Sequence, residues 1–209
     1  MIGRLPRGLK LALVAALIAA YAGLSHYSNT QEARTLGAAL ALGPLLAGPA
    51  LVARRAGRLA ATLTAVAAAL LSYACWPLLE KNFSVAYLLQ ECGIYGLLAV
   101  GFARSLRPGE TALCTQLADR LHGPLTPREV RYTRQVTLAW AVFFVAITVA
   151  TLSLYLAAPL SLWSAFVNFV TLPLVASMFI LEYAVRRHVL PQTDHRGILA
   201  TMQAFFASR

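Results

Sequence analysis

Charge is what this sequence has least of. Only 12% of its 209 residues are Asp, Glu, Lys or Arg, whereas 59% are apolar; ordinary soluble domains carry about twice that charged share. A typical water-soluble fold and a disordered chain are both excluded. Acidic side chains are the scarcest, 8 against 18 Lys/Arg, for a net charge of +10. Such a balance can accompany nucleic-acid binding when the charges form one patch. Here they sit in short clusters between apolar segments, so no nucleic-acid partner is expected. Cysteine is also sparse: Cys75, Cys92 and Cys114 form no C-x-x-C pair. The odd count argues against a disulfide framework and a zinc site, and no metal or cofactor is expected.

Catalytic signatures are missing too. The sequence contains no G-x-x-x-x-G-K-[ST], no G-x-S-x-G and no H-E-x-x-H. An H-x-x-x-x-D pattern fails at His26, His122, His188 and His195; at His188 the nearest acid, Asp194, lies one residue too far. No catalytic residue is assigned, and the reading leans away from an enzyme.

What the chain does have is long apolar runs. A helix needs about 20 mostly apolar residues to cross a ~30 Å hydrocarbon layer. Six stretches qualify, at residues 9–27, 36–53, 59–79, 83–103, 136–157 and 162–185. The fold class is therefore an all-α membrane protein, a single six-span domain over residues 1–209. The second stretch is interrupted by Gly43-Pro44 and Gly48-Pro49 and reads as a kinked span. Ala20-Tyr21-Ala22 resembles a signal-peptide cleavage site, but the apolar run continues past it, and retention is expected.

The basic residues assign the sides. Arg4, Arg7 and Lys10 precede the first span, and Arg54, Arg55 and Arg58 join the second to the third. Arg104, Arg107, Arg120, Arg128, Arg131 and Arg134 fall in the fourth-to-fifth connection; Arg186, Arg187, Arg196 and Arg209 fall in the tail. Only Arg34 and Lys81 remain for the other side. Positive residues favour the cytoplasm, so both termini are expected inside, in a bacterial inner membrane.

Two polar pieces lie outside the spans. In the 104–135 connection, Leu113, Leu117 and Leu121 recur at i, i+4 and i+8, an amphipathic helix lying on the membrane or against the bundle. Thr126-Pro127-Arg128-Glu129 then supplies a Thr N-cap, Pro at N1 and Glu at N3, a capping box. In the 186–209 tail, Ile198, Leu199, Met202, Phe205 and Phe206 form a second stripe. The basic face formed by Arg104, Arg107, Arg120, His122, Arg128, Arg131, Arg134, Arg186 and Arg187 reads first as anchoring to lipid headgroups.

Ionisable groups at depth mark functional candidates. Glu91 lies eight residues into the fourth span, about 12 Å at 1.5 Å per residue, beside Gln90 and Cys92. Counted from the same face, Asn168 and Thr171 of the sixth span, Tyr21 of the first and Tyr73 of the third reach a comparable depth. Glu91 with these residues is expected to form a polar layer that binds a proton or ligand, or that simply joins helices. Glu182 sits four residues before Arg186, a favourable pair. Trp76, Trp140 and Trp163 lie at span ends, where an aromatic belt is expected.

The stretches FARSLRPGETALCTQLADRLHGPLTPREVRYTRQVTLAW (102–140) and LPLVASMFILEYAVRRHVLP (172–191) resemble a family of small bacterial inner-membrane proteins encoded in aryl-polyene (xanthomonadin-like) pigment clusters. The resemblance implies an accessory or scaffold role in making or handling a polyene lipid, with acyl-carrier protein or polyketide-type enzymes as partners. The label "ketosynthase" borne by some members does not suit six spans in 209 residues, and no histidine pair surrounds a condensing cysteine. A small transporter or flippase working through Glu91 is the alternative. A membrane acyl- or glycosyl-transfer enzyme is the third class.

Overall fold

The computed structural model describes residues 7–31, 33–42, 46, 53 and 57–190. Among these the chain is helical, with no strand. In order come α1 (Arg7–Thr30), α2 (residues 34–42), α3 (Arg58–Lys81), α4 (Phe83–Arg104), α5 (Leu113–His122), α6 (Pro127–Ala157), α7 (Leu160–Ala165), a π-turn (Phe166–Val170) and α8 (Thr171–Val189). Four stretches of this helix are long and apolar enough to cross a membrane: Leu59–Lys81, Phe83–Arg104, Pro127–Ala157 and Leu160–Val189. They contain the third to sixth expected spans. The first expected span falls within α1, and half of the second, with Arg54 and Arg55, lies outside the described residues. So do Arg4 and the amphipathic stripe of the tail with Arg196 and Arg209.

The four membrane-length stretches are apolar nearly all round, which a water-soluble fold does not tolerate. Leu59, Leu70, Leu97 and Leu156 are each more than 60% exposed. The breaks between helices have local causes. Gly109, at φ 85°, follows the end of α4. Gly123 closes α5 at φ 80°, ψ −164°, a region essentially reserved for glycine.

The chain packs into two compact units. The first comprises residues 1–92 and 151–170; the second comprises 93–150 and 171–209. The core of the first is built by Ala38, Ala41, Phe83, Tyr87, Leu88 and Trp163. The core of the second is Ala99, Trp140 and Phe144, with Phe102, Phe143, Val175 and Met178 against it. Trp140 and Trp163 thus depart from the expected belt. They are 6% and 1% exposed, and Trp140 packs against Phe144 and Phe179 at centroid distances of 5.3 and 4.6 Å. Burying an aromatic ring in a core gains more contact than a headgroup position provides.

In the second unit α5 is fixed on α6 by polar contacts, beside the packing of Cys114 against the Trp140 and Phe144 core. The hydroxyls of Thr115 and Thr133 are 2.7 Å apart, and the Cys114 N–H donates to Thr137 Oγ1 at 3.2 Å. Ser105 Oγ accepts the otherwise unpaired N–H of Leu113 at 3.0 Å. The buried side of α5 therefore carries Thr115, while Leu113 and Leu117 of the expected stripe face outward. The capping box of α6 is formed: Thr126 N–H donates to Glu129 Oε2 at 2.7 Å, and Glu129 N–H reaches Thr126 Oγ1 at 3.4 Å.

Candidate functional site

Two sets of polar residues stand out, one in each unit. The first set lies within the first unit and begins on α1. Tyr21, Ser25, Ser28 and Asn29 recur at i, i+4, i+7 and i+8, so one face of an otherwise apolar helix is polar. That face meets α4. Ser25 Oγ and Tyr87 Oη are 3.4 Å apart, and the Tyr21 hydroxyl lies close to Ser25, Tyr87 and Gln90 and within electrostatic reach of Glu91. Three residues expected in one polar layer, Tyr21, Gln90 and Glu91, are therefore neighbours. Glu91 is half-buried and makes no ion pair among the described residues.

Tyr21 Oη, Asn29 Oδ1, Gln90 Oε1, Thr151 Oγ1 and Trp163 Nε1 are buried without a hydrogen-bond partner among the described residues. Native interiors rarely leave so many groups unpaired, because each costs about 1–3 kcal/mol.

The other expected members are placed differently. Asn168 lies in the π-turn and donates to Ser164 O at 2.9 Å and Ser164 Oγ at 3.2 Å. Ser164 Oγ also lies 3.1 Å from His26 Nδ1, and the His26 ring meets Phe169 edge-on at 5.2 Å. Thr171 begins α8 in the second unit and is buried. Tyr73 is 85% exposed and points away from the core of its unit.

His26 and Ser164 form a hydroxyl–imidazole pair, the kind of arrangement that activates a nucleophile. Sequence reasoning missed it, because the two residues are 138 positions apart. Ser164 is completely buried, however, and its oxygen already faces both His26 and Asn168. A hydroxyl sealed in this way cannot meet a substrate, so the trio acts as a clamp between α1 and α7. Among the described residues no group of three or more His, Cys, Asp or Glu could hold a metal ion.

The second set is basic and belongs to the second unit. Several of its arginines are positioned by backbone carbonyls left unpaired at helix ends. Arg128 donates to Val189 O at 2.8 Å, and Arg134 donates to Leu106 O at 2.6 Å. Arg186 pairs with Glu182 at 2.6 Å, and Tyr132 donates to the Glu182 backbone oxygen at 3.2 Å. Arg104, Arg107, Arg120, Arg131 and Arg187 are exposed. The side chain of His122 lies outside the described residues. Cys114, beneath this face, is a half-buried thiol whose titration is pushed up chiefly by burial, against a smaller lowering by Thr137.

No family model, no curated protein and no solved structure matches this chain.

Proposed function

We propose that the chain is a six-span inner-membrane protein whose basic face holds soluble biosynthetic enzymes at the membrane. Both termini and the α5 connection lie in the cytoplasm on this reading. The task is an accessory or scaffold role in making an aryl-polyene-type lipid or pigment, and the partner is an acidic acyl-carrier protein or a polyketide-type enzyme. The resemblance of residues 102–140 and 172–191 to proteins of such pigment clusters supplies the setting.

The observation that carries the proposal is the construction of the basic end of the second unit. Arg128, Arg134 and Arg186 are tied down, and α5 is bonded to α6 through Thr115 and Thr133. Arg107, Arg120 and Arg187 are thus displayed from a rigid base, and a fixed field steers an acidic partner more effectively than a mobile one. The test is retention of purified acyl-carrier protein by the full chain in neutral detergent. Reversing Arg107, Arg120 and Arg187 to Glu should abolish retention while leaving the carbonyl-bound arginines untouched. Retention unchanged by that reversal, or no retention by the wild type, contradicts the proposal.

A transporter or flippase for a lipid or pigment precursor is the second reading, and the unpaired polar atoms around Tyr21 and Gln90 favour it. Glu91→Gln separates the two. Transport coupled to Glu91 stops and precursor accumulates inside the cell, whereas a scaffold that remains folded keeps working.

A further inference from the structure

Along α6, Arg131, Arg134, Gln135 and Leu138 recur at i, i+3, i+4 and i+7 and so form one stripe. Together with Leu106, beyond the end of α4, they line an open groove of about 440 Å³ within the second unit. The lining has two guanidinium groups, one carboxamide and two leucines, and no acidic side chain. Arg134 spends one donor on Leu106 O, which fixes its position and leaves further N–H groups of the guanidinium available. Arg131 is exposed and makes no ion pair among the described residues.

The polarity of the groove follows its position along the helix. α6 has 31 residues, about 46 Å at 1.5 Å each, well beyond the ~30 Å of a hydrocarbon layer. The uncharged run starts at Val136, one residue after Gln135 and two after Arg134. If that run crosses the bilayer, Arg131 and Arg134 lie at headgroup depth and Leu138 at the start of the acyl region.

We infer that this groove is a binding site for the phosphate of an anionic membrane lipid, with Arg131 and Arg134 on the phosphate oxygens and Leu106 and Leu138 against the acyl chain. The inference rests on the proposed membrane reading but not on the scaffold role. Planar guanidinium groups suit phosphate because two parallel N–H groups match two of its oxygens. The leucines select for a phosphate that carries a chain, which free phosphate lacks.

The test uses the full chain reconstituted in phosphatidylcholine vesicles containing a minority of phosphatidylglycerol, with no protein partner present. Flotation with the vesicles reports membrane insertion. Native mass spectrometry after transfer to neutral detergent reports which lipid remains bound. The wild type should float and retain phosphatidylglycerol preferentially. Arg131→Gln, which leaves the Arg134–Leu106 contact intact, should float equally and lose about fivefold of that preference, the share expected of one Arg near an anionic headgroup. Lys81→Gln, at an exposed position outside the groove, should keep the preference, and millimolar inorganic phosphate should not displace the lipid. An unchanged preference in Arg131→Gln, or displacement of the lipid by inorganic phosphate, overturns the inference. Failure of the wild type to float removes the membrane reading and the inference with it; failure of acyl-carrier retention alone leaves the inference standing.

Discussion

The ring of Phe83 fills the space that a side chain at position 37 would need: a Cβ built on Gly37 would overlap its ring carbons. α2 and the start of α4 therefore meet at backbone-to-ring distance, and Ala38 and Ala41 continue the same close packing with no exposed surface. Small residues allow this approach in membrane bundles, where contact rather than water exclusion holds helices together. Gly37→Ala should destabilise the chain by about 1–3 kcal/mol through overpacking. Thermal unfolding in detergent should show a lowered midpoint, and Phe83→Leu should offset part of the loss. Full additivity of the two changes would show that they do not share this contact.

The start of α6 depends on reciprocal bonds between Thr126 and Glu129. Thr126→Ala should cost about 1 kcal/mol and speed hydrogen exchange in the first turn of α6, whereas Thr126→Ser should preserve both. Equal protection in the Ala and Ser variants would rule out a role for the hydroxyl.

The Glu182 side chain is only 7% exposed and accepts from Arg186, while the Tyr132 hydroxyl donates to the Glu182 backbone oxygen. Glu182→Gln leaves the Arg186 charge without its partner and should lower stability by about 1–3 kcal/mol. Neutralising both residues, as Glu182→Gln/Arg186→Gln, should cost less than the single change. A double variant worse than the single would show that the charge of Arg186 matters elsewhere.

Burial raises the titration of the Cys114 thiol, so little thiolate is present near neutrality. Alkylation of Cys114 in the folded chain should be slow at pH 7 and should accelerate through pH values above the ordinary thiol range. Denaturation, or Thr115→Val to loosen α5 from α6, should accelerate it at neutral pH. Rapid alkylation of the folded wild type at pH 7 would contradict the packed position of α5.

Much of this arrangement was legible in the sequence where the signal is local. Four apolar runs mark four long helices, Thr126-Pro127-Arg128-Glu129 marks the start of α6, and the spacing of Glu182 and Arg186 marks their pair. The nearness of Tyr21 to Gln90 and Glu91 was legible as well, from counting residues along the apolar runs. Rotation about the helix axis was not. Nearly every face of α3 is apolar, so nothing in its sequence says that Tyr73 points outward. The π-turn at Phe166–Val170, which contains Asn168, was also hidden, because its extra residue per turn leaves no compositional mark. The contact between His26 and Ser164 depends on tertiary packing alone.

The most direct test of the central claim is the side of the membrane on which each connection lies. On the proposed topology, in which the charge bias holds Arg104–Arg134 and both termini inside, alkaline phosphatase fused after Asn29 or Lys81 should be active, and a fluorescent protein fused after Arg209 should fluoresce. An active phosphatase fused after Arg209, with a silent one after Lys81, would contradict the six-span, basic-face-inside account.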